Sequence, residues 1–350
     1  MFMASALKNA AFLVAGCAAL LSPAAGATRG GVSTPLTLMN GWQNGPSGTA
    51  NASVEQINGV VHFKGAISQP GGNGEPFVLP VPYRPAARVY IPIAACHAHN
   101  ARLDISPGGD VEVETEGDFD KASCLISLDS ASFALSTDGF KSLKLRHGWG
   151  PYGEDSGAAA VQTIDGKVTF EGAIATARKN PFPFVLATAY RPSDTLWVKL
   201  DLCDAHNGQL RVDPTGMVTV EVGRKWADAK CFTSLDGVSF APKSNGFSNL
   251  ALINGWVNFS AIRPAAVKLV NGGVQFEGTI DTPQTNSNAN PFVLPSGFRP
   301  SNTVYLPLAL CGGANGRLVI KPDGTTTIEA ENDFGDAQCI TSLEGVTFLR

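Results

Sequence analysis

The sequence predicts an all-β protein of three tandem antiparallel β-sandwich or jelly-roll-like domains, each closed by one disulfide. Three observations carry this reading. The chain repeats itself at a period near 107 residues, its apolar residues alternate with period two between turn signals, and six of its seven cysteines fall into three equally spaced pairs.

The repeat is explicit. Leu36-x-Leu38-x-x-Gly41-Trp42 returns at Leu143 to Trp149 and at Leu250 to Trp256, a shift of 107 each time. Phe63-x-Gly65-x-Ile67 is matched by Phe170-x-Gly172-x-Ile174 and Phe276-x-Gly278-x-Ile280. Pro76-Phe77-Val78-Leu79 with Tyr83-Arg84-Pro85 recurs at Pro183 to Pro192 and at Pro291 to Pro300. Ser127-Leu128-Asp129, Ser234-Leu235-Asp236 and Ser342-Leu343-Glu344 close the copies, each followed by Phe133, Phe240 or Phe348. A period of this length is a domain rather than a solenoid unit, since solenoid repeats run about 20 to 50 residues. Joints at Ser136 to Gly139 and Pro242 to Gly246 divide the chain into repeats at 28–136, 137–243 and 244–350. On this division no separate catalytic domain is expected.

Within a copy, segments such as Lys167 to Glu171, Thr195 to Leu200 and Met217 to Val222 alternate in the manner of half-buried strands. Asp165-Gly166, Asn207-Gly208, Pro214-Thr215-Gly216 and Pro322-Asp323-Gly324 read as tight turns between them. About eight strands in about 100 residues fit a sandwich or jelly roll. The pairs Cys96 and Cys124, Cys203 and Cys231, and Cys311 and Cys339 are each 28 residues apart and read as disulfides inside their own copies.

Residues 1–27 have the form of an export signal: Lys8, an apolar stretch from Ala10 to Leu21, Pro23, and the small residues Ala25-Gly26-Ala27. The mature chain is expected to start near Thr28, secreted or periplasmic. Val14-Ala15-Gly16-Cys17 is a competing lipobox-like reading in which Cys17 anchors the protein. No later segment is long and apolar enough to span a bilayer. With Lys+Arg 26 against Asp+Glu 30 and no basic run, nucleic acid is not an expected partner.

No catalytic motif recurs. Gly-x-Ser-x-Gly, His-Glu-x-x-His and a phosphate-binding glycine loop are missing from the sequence. His97, His99 and His206 are where a hydrolytic site confined to one repeat would lie. His97-Ala98-His99 would place both imidazoles on one face if that segment were a strand. The incomplete ligand set at Cys96-x-x-His99 and Cys203-x-x-His206, with Ala314 in the third copy, argues against metal. No cofactor is expected.

The recurring aromatics come next. The Gly-Trp of each first strand reads as core, and Arg84, Arg191 and Arg299 are expected to stack on the preceding aromatic and donate to loop carbonyls. Phe119, Trp226 and Phe334 stand five residues before the second cysteine of each pair among polar neighbours. They are contact residues of a loop or plugs beneath it, on equal terms.

Taken together, Pro-Phe-Val-Leu-Pro, Gly297-Phe298-Arg299-Pro300, Gly316-Arg317-Leu318-x-Ile320-x-Pro322-Asp323-Gly324 and Ser342-Leu343-Glu344-Gly345-Val346-x-Phe348 resemble the β-sandwich modules at the tips of tail fibres and baseplate proteins of tailed bacteriophages. The resemblance covers about 75 residues of each copy. It implies a host-surface or saccharide-binding module that is often trimeric. The signal sequence, the disulfides and the lack of a fibrous shaft depart from that pattern. They point to a secreted bacterial protein that reuses the module in tandem.

The expected function is therefore that of a non-catalytic binding protein recognising cell-surface or extracellular glycan, or a surface protein, through several weak sites. A structural, self-associating surface protein and a hydrolase with a site in one repeat are the alternatives. A disulfide that lets each copy fold alone favours three independent beads, and short joints favour a single chain whose copies close on one another with pseudo-threefold symmetry. Tyr90, Trp197 and Tyr305 are the side chains placed to mediate it.

Overall fold

A computed structural model describes Met1 and residues 31–153 and 155–350; apart from Met1, the stretch read as an export signal, Cys17 included, lies outside the described residues. The protein is all-β, with ten strands per repeat among the described residues. In the first repeat one sheet holds Thr34–Pro35, Ser53–Ile57, Val60–Lys64 and Ser132–Ala134. The second sheet holds Gln43–Asn44, Ala66–Ser68 and Ile126–Ser127. Through the single bridge Ala95 to Ile126 it continues into Val89–Ala94, Asn100–Ile105 and Val111–Thr115. The third repeat forms the same order as one continuous six-stranded sheet. Among the described residues every pair of named strands is antiparallel; the isolated bridge between Arg88 and Ser156 is parallel.

Each repeat has its own core. The residues that recur in the sequence are the ones that fill it: Trp42, Phe63, Phe77 and Phe133; Trp149, Phe170, Phe184 and Phe240; Trp256, Phe276, Phe292 and Phe348. In all three, the central phenylalanine of the Phe-x-Gly-x-Ile motif lies between the other two, at centroid distances of 6.1 to 6.3 Å. The tryptophan rings are buried, and their indole N–H groups donate to Asn73, Asn180 and Asn288 carbonyls at 2.8 to 2.9 Å. Burial of the ring and satisfaction of its one donor explain why Gly-Trp recurs.

Local chemistry fixes the turns. Asn58-Gly59, Asp165-Gly166 and Asn271-Gly272 take positive φ at both positions, which suits a two-residue hairpin and needs residues that tolerate the left-handed region. Gly109, Gly216 and Gly324 sit at φ near +90°, and a Cβ there would lie 2.5 to 2.7 Å from the Nε of Arg84, Arg191 and Arg299. Those Nε atoms donate to the carbonyls of Leu79, Leu186 and Leu294 at 2.8 to 3.0 Å. The Arg-Pro element and the distant turn glycine are thus two halves of one contact. Among the described residues the cation–ring contacts lie elsewhere, on Tyr90, Phe232, Phe247 and Tyr305, so the expected stacking of these three arginines is not found.

The disulfides join Cys96 to Cys124, Cys203 to Cys231 and Cys311 to Cys339, with Cα separations of 5.6, 5.9 and 5.7 Å. Each ties a 3-10 turn at the end of a strand to a short helical segment, at its last residue in the second and third repeats and two residues beyond it in the first. Those segments correct the loop expected around the polar-flanked aromatics: Phe119 opens the 3-10 helix Phe119–Ala122, Trp226 the helix Trp226–Cys231, and Phe334 the helix Phe334–Cys339. In the last, the Asp333 carboxylate accepts from the Gly335 N–H at 2.9 Å, a capping bond that a polar flank supplies.

A second correction concerns Asn207-Gly208. It is no turn; it begins the strand Asn207–Val212, Asn207 facing Asp201 and Gly208 facing Leu200. A Cβ on Gly208 would meet Leu202 at 2.8 Å and the Glu221 carbonyl at 2.9 Å. The glycine answers close approach, not a reversal of direction.

Candidate functional site at the repeat junctions

The inner strands Val89–Ala94, Leu196–Asp201 and Val304–Leu310 touch one another pairwise, one from each repeat. Around them runs a cyclic set of hydrogen bonds. Asn100 Nδ2 donates to the Ala205 carbonyl at 2.6 Å, Asn207 Nδ2 to the Gly313 carbonyl, and Asn315 Nδ2 to the Ala98 carbonyl at 2.6 Å. First repeat reaches second, second reaches third, and third returns to first. All three asparagines are buried. They recur four residues after the first cysteine of each pair, a polar residue at the mouth of an apolar strand. That recurrence was the available signal.

The three junctions share this frame and differ in their packing. Tyr90 of the first repeat packs on Phe232 and Tyr152 of the second, at 4.8 and 6.5 Å. Trp197 of the second packs on Phe259 of the third at 5.6 Å, and Tyr305 of the third lies against Ala66, Cys96 and Leu125 of the first. The Ser234 and Ser342 hydroxyls donate to the carbonyls of Tyr90 and Trp197, at 2.7 and 2.5 Å. Arg102 crosses the first junction to Asp201 at 3.1 Å, and Arg317 crosses the third to the Ala95 carbonyl at 2.8 Å.

The three candidate histidines are at the same junctions and are not brought together as a catalytic set. His97 sits in a 3-10 turn at φ 51 and is exposed, so the one-face arrangement that a strand would give does not arise. His99 Nδ1 lies 2.8 Å from Glu331 of the third repeat. His206 stands 3.7 Å from Glu116 of the first repeat and 3.6 Å from Asp228 of its own, while Arg224 holds Glu116 at 2.7 Å. Where the histidine position becomes Ala314, the facing position is Gly223, whose absent side chain lets the Gly313 backbone approach. Among the described residues none of these imidazoles hydrogen-bonds a hydroxyl or thiol nucleophile, and no group of three His, Cys, Asp or Glu is placed to hold a metal.

Phe119, Trp226 and Phe334 are half-buried and packed on their own cores, each edge-on to the Gly-Trp indole, Trp42, Trp149 or Trp256, at 6.2, 6.2 and 6.4 Å. Their inner edges plug the sandwich. Phe119 also faces outward into an open cleft of about 500 Å³ whose polar lining includes Glu112, Glu114, Thr115 and, from the second repeat, Asp204. Burial and then its acidic neighbours, Glu114 first, raise the Glu112 carboxyl above the usual carboxylate range.

The acid common to all three copies has a role that the sequence left unseen. Asp129, Asp236 and Glu344 are buried, and one oxygen of each accepts from the N–H of Gly65, Gly172 or Gly278, at 2.9, 2.8 and 2.7 Å. Burial pushes Asp129 up to about 7 and Asp236 up to about 6, against the lowering effect of the glycine N–H. In the third repeat Arg263, itself buried, sits between Glu344 and Glu277 and donates to the Ala241 carbonyl across the joint between repeats. These carboxylates anchor strand ends; Asp236 also lines a small cavity of about 20 Å³ together with Glu171. No helix among the described residues is long and apolar enough to cross a membrane. Comparison with protein-family models, with curated proteins and with solved structures finds no match to this chain.

Proposed function

We propose that this is an exported, non-catalytic binding protein that recognises extracellular or cell-surface glycan through weak sites on the outer edge of a ring of three sandwiches. The cleft at Phe119 carries the reading. Its volume, about 500 Å³, lies in the range of small-ligand sites. Its aromatic edge offers an apolar face to a sugar ring while Glu112, Glu114 and Asp204 offer acceptors to hydroxyl groups. Packing on Trp42 holds the Phe119 ring still, which lowers the entropic cost of binding. Trp226 and Phe334 occupy the matching positions, so a ring would display three such edges, and linked weak sites gain by effective concentration. Three disulfides suit an oxidising destination outside the cytoplasm.

The test is a glycan array read at high and low ligand density with the mature protein and with Phe119→Ala. Binding at high density that weakens in the variant is the expected result. A flat array from protein whose folding is intact overturns the reading.

A further inference from the structure

The hairpin tips of the three repeats meet at one end of the molecule. Asp165 of the second repeat accepts from Asn58 of the first at 2.9 Å and from Asn271 of the third at 2.8 Å. Beneath this knot lies a cavity of about 40 Å³ between the first and third repeats, with Lys167 of the second forming part of its wall. Of its polar side chains Gln275 is buried without a partner, while Lys167 and His62 are partly exposed. Gln275 is 2% exposed, and neither its amide oxygen nor its amide nitrogen has a hydrogen-bond partner. Among the described residues no carboxylate lies within 4 Å of the Lys167 ammonium, and neither Lys167 nor His62 makes a side-chain hydrogen bond.

Unpaired buried polar groups are costly, and a native protein that leaves both ends of one buried amide unpaired beside a void usually fills it with something polar. One ammonium and one carboxylate face the void. Lys167 and His62 face it, Lys268 lies close enough to repel Lys167, and the one nearby carboxylate, Asp165, is already held by two asparagine amides. Burial pushes the lysine down to about 8, and burial with the lysine's charge pushes His62 down to about 3, so the imidazole is neutral and the ammonium supplies the charge. Ile57, Val270 and Phe348 form the apolar part of the wall, beside Ser130, Asn271 and Thr347. On this volume measure one water takes about 10 to 15 Å³, so the cavity accepts a species of about three waters' bulk and no sugar or phosphate ester.

We propose that the axial cavity binds a small monovalent anion, a chloride or a formate-sized carboxylate, between the Lys167 ammonium and the Gln275 amide. The site belongs to the ring and not to any repeat: the positions matching Lys167 are Val60 and Gly273, and those matching Gln275 are His62 and Thr169. An anion there bridges the second and third copies, with the first copy supplying part of the wall.

The experiment uses the full mature chain in a background of a bulky organic anion at fixed ionic strength, titrated separately with sodium formate and sodium chloride. The Lys167 side-chain NMR resonance is the direct reading and needs no variant. A saturable shift with either anion, and none with sulfate, is the expected result; which of the two saturates first identifies the occupant. Lys167→Val and Gln275→Thr, each copying the residue another repeat carries, should weaken binding at least tenfold and several-fold respectively by calorimetry. A resonance unmoved by both anions overturns the proposal, as does an affinity unchanged in Lys167→Val.

Discussion

Replacing Asn315 by leucine measures what one junction side chain contributes to closing the ring. Its Nδ2 donates to the Ala98 carbonyl of the first repeat at 2.6 Å, and its Oδ1 accepts from the Lys199 ammonium of the second at 2.5 Å. Leucine is of similar volume and can do neither. A buried carbonyl left unpaired costs about 1 to 3 kcal/mol, and a hydrogen bond to a charged group contributes about 1.5 to 3, so the expected loss is about 3 to 5 kcal/mol. Lys199 is only 7% exposed, so solvent cannot replace the lost acceptor. Asn100 provides the control. It donates to Ala205 at 2.6 Å, but its Oδ1 has no partner, so Asn100→Leu removes one bond and one unsatisfied atom together. That loss should be about 1 to 2 kcal/mol. Urea unfolding of both variants, followed by tryptophan fluorescence, gives the comparison, with hydrogen exchange locating the loosened strands. Equal losses, or a larger one for Asn100→Leu, would refute the account of the ring as a charge-assisted network.

Three further outcomes follow from the same contacts. Removing the second disulfide as the pair Cys203→Ser and Cys231→Ser should cost about 3.5 kcal/mol, from the entropy of a loop this size, and hydrogen exchange should show the second repeat loosening first. The Asp129 carboxyl protonates near 7 when folded and near 4 when unfolded, so the folded state binds more protons between those values and stability falls as pH rises through that window. Asp129→Asn keeps the acceptor for Gly65, so it should match the parent below pH 4 and exceed it at pH 8 in thermal unfolding. Arg263→Met strands Glu277 and Glu344 in the core and should lose about 3 to 5 kcal/mol in chemical denaturation, a loss that Arg263→Met with Glu344→Gln partly restores.

Much of the fold was legible because its determinants are local or periodic. The hairpins at Asp165-Gly166 and its counterparts are written in two adjacent residues, the core phenylalanines in period-two patterns, and the disulfides in a repeated interval. The junctions were harder for a physical reason. His99 and Glu331 are 232 residues apart, and the pair has no counterpart at Ala314 and Gly223, so self-comparison discards both positions as irregular. Asn207-Gly208 misled because one dipeptide serves two ends: glycine permits a turn, and it equally permits a backbone to pass within contact of Leu202. Tyr90, Trp197 and Tyr305 were singled out from the sequence and stand at the three junctions. The partners they find there, Phe232, Phe259 and the disulfide-bonded Cys96, come from segments with no common motif.

The mismatch between junctions also encodes sequence order as assembly order. Glu116 of the first repeat wants the histidine that only the first and second repeats carry, and Gly223 of the second leaves room for the unadorned Gly313-Ala314 turn of the third. A ring arranged first, third, second would set Glu116 opposite Ala314 and Gly223 opposite His99, leaving one charge and one imidazole without a mate. Cut into three polypeptides at the joints, the repeats would still carry the information to reassemble in one cyclic order and one hand. The tandem chain is then best regarded as a heterotrimer whose subunits happen to be encoded in a single reading frame.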